Sequence, residues 1–187
     1  MRIISGNFKG KKIHEPKDIQ TRPLKDLVKE SIFNLINHSN KFSINLENAY
    51  ILDLFSGTGS FGIECLSRSA KHVTFLENYK EILPILKKNL SKLKTIDNYK
   101  ILETDIFKHF DFSKLNQQYN IVFLDPPYKE NNLNDLINNL IKSNILKKNG
   151  IIIIHRHKKQ KDIFPNKFKI IEEKKYGISK IIFGTYF

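Results

Sequence analysis

The chain has little of what would tie it to a disulfide scaffold, a membrane or a secretory route. A single cysteine, Cys65, stands among 187 residues, which excludes an internal disulfide and a thiolate zinc cluster. Cys65 is expected on a helix face against a sheet, where a free cysteine behaves as a small hydrophobe. Long apolar runs are missing too. The 40% apolar residues come as short stretches between charged segments, without the uninterrupted run that a membrane span needs. The opening MRIISGNFKGKK has only a brief apolar step and no small-residue cleavage pattern, so a cytoplasmic protein is expected. Acidic residues are scarce against basic ones, 19 to 32, giving a net charge of +13. A surplus of this size attracts a polyanion through counterion release, and nucleic acid is the partner it fits first. Abundant Lys, Asn and Ile also fit a compositional bias, but that bias would supply glutamate as readily as lysine.

What is present is a rhythm. The runs AYILDLF, HVTFLE, KILETD, NIVFLD and GIIIIH read as strands, and helical patterns separate them: GSFGIECLS, NYKEILPILKKNLSKL and NLNDLINNLIKS. This alternation predicts an α/β fold with a mostly parallel, doubly wound sheet. Pro84 must sit near the first turn of its helix or kink it. KFKIIEEKKYG and ISKIIFGTYF predict a C-terminal antiparallel hairpin around Gly177, for six or seven strands in all. Ahead of the sheet, MRIISG and KKIHEP predict a small hairpin carrying Arg2, Lys9, Lys11 and Lys12. Thr21-Arg22-Pro23 is expected to open a helix whose apolar stripe is Leu24, Leu27, Val28, Ile32, Leu35 and Ile36. One domain over 1–187 is expected, with 1–40 as an extension and 49–187 as a ligand-binding core.

The chemistry gathers at predicted strand ends. DLFSGTGSFG fits G-x-G-x-x-G at Gly57, Gly59 and Gly62, and Glu77 follows Gly57 by about 20 residues, the separation at which an acid meets ribose hydroxyls. Phe55, Ser56 and Asn78 flank these positions, Asp105 and Ile106 follow the third predicted strand, and all five join the cofactor-binding set, with Asp105 assigned to an adenine amino group. The pattern fits NAD as well as S-adenosylmethionine. Asp53, four residues before the first glycine, would repel a pyrophosphate and suits the cationic end of a sulfonium amino acid. Asp125-Pro126-Pro127-Tyr128 is more specific. An exocyclic amino nitrogen on a base is a poor nucleophile because its lone pair is delocalised. Asp125 and the Pro126 carbonyl can each accept one of its N–H groups and hold it pyramidal, aimed at a methyl carbon. The two prolines fix the direction of that carbonyl, and Tyr128 offers a face for an extruded base. His155-Arg156-His157 lacks a third ligand and is read as a basic solvated loop, so no metal is expected. His14, His38, His72 and His109 receive no role.

These residues together resemble the RsmD-type 16S rRNA guanine-N2 methyltransferases of bacteria, within the class I S-adenosylmethionine fold. The resemblance runs through MRIISGNFKGKKI, TRPLKDLVKESIFNLI, DLFSGTGSFGIECLSR, Glu77 and DPPY. It implies methyl transfer from S-adenosylmethionine to one guanine of 16S rRNA in the small subunit or a late assembly intermediate; a monomer is the default expectation, and the short apolar runs give no membrane partner. It carries the cofactor pocket onto Asp53, Ser56, Gly57, Gly59, Glu77 and Asp105, and the catalytic motif onto Asp125, Pro126, Pro127 and Tyr128. Arg22 and Pro23 would lie beside the crevice, and Lys9, Lys11 and Lys12 would grip phosphates. His155 stands where an acidic residue is more often expected in that family. Adenine-N6 methylation of DNA or RNA shares DPPY, and a non-catalytic RNA-binding assembly protein could keep the same fold.

Overall fold

Successive residues of a strand face opposite sides of a sheet, so an apolar run without polar interruption supplies two cores at once. The computed structural model, which describes residues 1–16, 24–94, 96–108, 110–128 and 130–186, shows this division. Its strands are β1 Tyr50–Leu54, β2 His72–Glu77, β3 Tyr99–Glu103, β4 Tyr119–Leu124, β5 Leu146–His157, β6 Lys169–Tyr176 and β7 Ser179–Thr185. Its helices are α1 Asp26–His38, α2 Ser60–Ser67, α3 Leu83–Ser91 and α4 Leu133–Lys142. Ile51, Phe123 and Ile153 pack with Ile32 of α1 and Leu86 of α3 on one face. Leu52, Leu124 and Ile154 pack with Leu136 and Leu140 of α4 on the other. The strands form one seven-stranded sheet in the order β3-β2-β1-β4-β5-β7-β6, parallel from β3 to β5 and antiparallel at β7 and β6. The predicted doubly wound sheet with its C-terminal hairpin is therefore present. Pro84 falls in the first turn of α3, where its missing N–H has no intrahelical partner to lose. Cys65 is fully buried on α2, and burial pushes its thiol well above the ordinary range.

The N-terminal segment departs from its predicted pattern in detail. Residues 17–23, including Arg22 and Pro23, lie outside the described residues. Leu27, assigned to the buried stripe of α1, is 67% exposed, whereas Lys29 and Phe33 are completely buried. The helix starts at Asp26, so Leu24, itself buried, precedes it, and the buried face of α1 is Val28, Lys29, Ile32, Phe33 and Ile36. Lys29 donates from Nζ to the Arg2 carbonyl at 2.8 Å and to Ser60 Oγ at 3.2 Å, with the Glu64 carboxylate at 3.7 Å. Burial lowers its pKa against the pull of Glu64 and Asp26.

The small hairpin forms, closed by an antiparallel bridge between Arg2 and Lys12. It is fastened to α2 through a residue to which the sequence reading gave no role. The carboxylate of Glu64, fully buried, accepts the Ile4 N–H at 2.8 Å, the Ser5 N–H at 2.9 Å and Arg68 Nε at 2.9 Å. A glutamate inside the apolar run FGIECL was the available signal, since a buried charge requires partners of this kind.

Candidate active site

The C-terminal ends of β1, β2 and β4 deliver Asp53, Glu77 and Asp125 to the rim of one cavity of about 450 Å³, as expected for ligands in open α/β sheets. Asp53 is 1% exposed, and its Oδ2 accepts the Gly62 N–H at 3.0 Å. Burial pushes its carboxyl well above the usual range. The Gly62 hydrogen bond offsets part of that, and the charges of Asp125 and Glu77 add to it. A pyrophosphate would meet three carboxylates here, whereas a cation would relieve Asp53. The lining thus fits the sulfonium amino acid and not NAD.

The glycine loop divides its labour. Gly57 lines the cavity, and its N–H donates to Glu77 Oε2 at 2.7 Å. Glu77 Oε1 accepts the N–H groups of Asn78 and Tyr79, both at 2.9 Å. A carboxylate has about four acceptor directions, so Glu77 stitches the loop to the end of β2 and keeps one direction for a hydroxyl. Ser56 lines the cavity while its Oγ donates to the carbonyls of Asp53 at 2.7 Å and Leu76 at 3.1 Å. Gly59 does not line it. At φ +82 its missing Cβ would fall 2.5 Å from Leu86 Cδ1, so this glycine admits α3 rather than a ligand. Likewise a Cβ on Gly62 would fall 2.3 Å from the Phe75 ring. Behind the loop, buried Asn89 donates to the Thr58 carbonyl at 3.0 Å and pairs with both backbone groups of His14. It thereby joins the loop to the N-terminal hairpin, a connection that no local pattern announces.

Phe55 and Asn78 line the cavity. Asp105 and Ile106 do not. Asp105 Oδ1 accepts the Phe107 N–H at 3.0 Å, and the Phe107 ring packs on Phe55 with centroids 5.2 Å apart, so Asp105 shapes the wall behind the rim. Ile106 is buried in the α4-side core. Lys9, Lys11 and Lys12 are exposed on the hairpin, with Lys11 Nζ 4.6 Å from the Phe8 ring centroid.

All four residues of DPPY line the same cavity. Their backbone carbonyls are treated unequally. The Pro127 carbonyl accepts the Glu130 N–H at 2.9 Å and Arg156 Nη1 at 3.1 Å, and the Tyr128 carbonyl accepts Gln160 Nε2. No donor among the described residues takes the Pro126 carbonyl. The Tyr128 ring stands edge-on to His155 and His157, at 6.2 and 5.3 Å between centroids.

The reading of His155-Arg156-His157 as a solvated loop is corrected. These residues end β5, next to β4 and β7, and His155 and Arg156 are 6% and 1% exposed. Their polarity is satisfied by residues distant in sequence. His155 Nδ1 lies 2.8 Å from Asp125 Oδ1, and its Nε2 lies 2.9 Å from Ser179 Oγ. Arg156 donates to Asp162 Oδ1 at 2.9 Å and to the Glu130 carbonyl at 2.7 Å in addition to Pro127. Only the pairing of β5 between β4 and β7 makes these contacts.

The sheet order, the strand-end acids and the glycine loop define a class I methyltransferase fold. The family model described as "Conserved hypothetical protein 95" matches residues 1–185. The chain is 36% identical over 172 residues to ribosomal RNA small subunit methyltransferase D of Buchnera aphidicola subsp. Acyrthosiphon pisum, covering 92% of this chain and 86% of that one. It is 36% identical over 181 residues to the protein of the same name from Haemophilus influenzae, covering 95% and 90%. The solved structure of the Escherichia coli protein yhhF superposes with a TM-score of 0.80 at 28% identity, covering 100% of this chain and 97% of that one. The chain belongs to the RsmD family. No helix among the described residues is long and apolar enough to cross a membrane.

Proposed function

We propose that this protein transfers a methyl group from S-adenosylmethionine to the exocyclic N2 of a guanine in 16S rRNA. The observation that carries the reading is the unequal treatment of the DPPY carbonyls. Pro127 and Tyr128 are engaged, while the Pro126 carbonyl stays available beside the Asp125 carboxylate. Two acceptors at one cavity rim match the two N–H groups of an exocyclic amine. Held between them, the nitrogen keeps its lone pair out of the ring and directed at the methyl carbon. The cofactor supplies that methyl on a positively charged sulfur. With it bound, the C–N bond would form as the S–C bond breaks, the sulfur leaving as a neutral thioether, and Asp125 would take the proton shed by the methylated nitrogen.

Asp53, Glu77, Gly57, Ser56, Phe55 and Asn78 hold the cofactor in this reading, with Asp53 toward its cationic end and Glu77 toward the ribose. Asp105, set back from the cavity, acts through Phe107 and Phe55. Tyr128 stacks on the extruded base. The exposed lysines Lys9, Lys11 and Lys12 grip phosphates, making the N-terminal extension the RNA-contacting part of one domain. Curated relatives named for small-subunit rRNA favour an rRNA substrate over DNA, and the choice of guanine N2 over adenine N6, which shares the same acceptor chemistry, rests on the resemblance. The test is label transfer from S-adenosylmethionine to small subunits lacking the modification, followed by nucleoside mass spectrometry. N2-methylguanosine is expected with the wild type and not with Asp125→Ala. Full activity in that variant would remove the reading.

A further inference from the structure

We propose that His155 is a positioning residue for the acceptor motif, holding Oδ1 of Asp125 from the neighbouring strand so that Oδ2 is presented to the substrate amino group. The proposal rests on the methyl-transfer reading above. A carboxylate at the end of a strand turns easily, because its terminal torsion is broad and two-fold. Among the described residues, His155 Nδ1 at 2.8 Å is the side-chain group that fixes it. The imidazole is itself fixed at its far side by Ser179 Oγ at 2.9 Å. One ring thus spans β4, β5 and β7 along the sheet edge that carries the cavity. Arg156, the next residue, secures Pro127 and Glu130, so consecutive residues of β5 set the two halves of the motif.

The pairing also gives the reaction a pH dependence. A hydroxyl can donate or accept. With the ring cationic, both nitrogens donate and Ser179 accepts. With the ring neutral, Nδ1 keeps its proton toward Asp125 and Ser179 donates to Nε2. Asp125 is therefore held in both states, but only the neutral ring leaves its full negative charge to face the positive charge that develops on the substrate nitrogen. The groups facing His155 are Asp125 at the end of β4, the Tyr128 ring in the loop after it, Ser179 on β7 and His157 two residues along its own strand, and the charge of the adjoining Arg156 acts on it from the other face. Burial lowers the His155 pKa, and the charge and hydrogen bond of Asp125 outweigh this and raise it above the usual histidine value.

The experiment is single-turnover methyl transfer to unmodified small subunits across pH, with the wild type, His155→Asn and His155→Leu. It is accompanied by imidazole ¹⁵N spectra of the free protein. The wild-type rate is expected to rise with pH through a histidine-like step. Asparagine, whose amide keeps a donor near the Nδ1 position but cannot ionise, is expected to retain a rate within about threefold of the alkaline plateau and to lose the step. Leucine is expected to lower the rate roughly ten- to a hundredfold with cofactor affinity unchanged. The spectra should show Nδ1 protonated throughout. A wild-type rate in His155→Leu, a pH step that survives in His155→Asn, or a neutral ring protonated only at Nε2 would overturn the proposal. The spectra need no substrate, and Asp125→Ala tests the reaction itself, so the two readings fail separately.

Discussion

The backbone N–H of Gly62, the last glycine of the fingerprint, donates to Asp53 Oδ2 at 3.0 Å. In dinucleotide-binding loops that glycine is read as room for close packing of the helix on the strand. Here it also carries the partial compensation of a carboxylate that is 1% exposed, which makes Asp53 a site of stored electrostatic cost.

Asp53→Asn is expected to stabilise the free protein and to abolish cofactor binding. The folded-state pKa of Asp53 is raised, first by burial, so the ionised carboxylate opposes folding. This loss sets in as pH rises above the unfolded value of about 3.9 and is complete above the folded value. Asparagine keeps an acceptor for Gly62 and removes the charge. The melting-temperature gap between variant and wild type should therefore widen from acid to neutral pH. By the same linkage, affinity of the wild type for S-adenosylmethionine should rise with pH over that range. Thermal melts and titration calorimetry check both, and a variant less stable than wild type at neutral pH would contradict the account.

Glu64→Ala should be far more damaging than its distance from the cavity implies. It would leave the N–H groups of Ile4 and Ser5 without their acceptor, and Lys29 buried without its nearest buried acid. Breaking a buried ion pair of this kind costs about 3–5 kcal/mol. Urea denaturation measures the loss, and hydrogen exchange should show the amides of residues 1–16 opening first.

Arg156→Lys should slow methyl transfer about tenfold while leaving cofactor affinity intact. A lysine carries the charge but lacks the fork that reaches Asp162, the Pro127 carbonyl and the Glu130 carbonyl together. Single-turnover rates beside cofactor titrations separate these effects. An equal loss in both would place the arginine in general stability instead.

Replacing Lys9, Lys11 and Lys12 together by alanine should weaken RNA binding and flatten its salt dependence. Each phosphate contact on a single strand contributes about 0.7 to the slope of log K against log salt, so the slope should fall by about two. Binding isotherms over a salt series read it directly, and an unchanged slope would move the RNA footprint away from the hairpin.

Much of the architecture was legible in the chain because it depends on local periodicity. NIVFLD and HVTFLE read as strands from their short β-branched and aromatic runs, and the structure buries them on both faces of the sheet. Gly177 punctuated the last hairpin, whereas Pro84 allowed either a helix start or a kink in a longer pattern, and only the structure begins α3 at Leu83. DLFSGTG, Glu77 and DPPY could be placed at strand ends from the same pattern. Position along a stripe was less secure: Leu27 and Val28 both fit the spacing, and only the packing of Val28, Ile32, Phe33 and Ile36 into the sheet-side core turned Leu27 outward.

Periodicities a few residues long set where the chain alternates between strand and helix and brought Asp53, Glu77 and Asp125 to strand ends. Tertiary structure alone decided the fate of the polar residues inside those periods. His155 and Arg156 look like part of a lysine-rich loop until β5 lies between β4 and β7 and sets them against Asp125 and Asp162. Glu64 and Lys29 look like helix-surface charges until the hairpin supplies backbone groups to them. A buried charge persists only where partners are assembled around it, and those partners come from parts of the chain that only folding brings within reach.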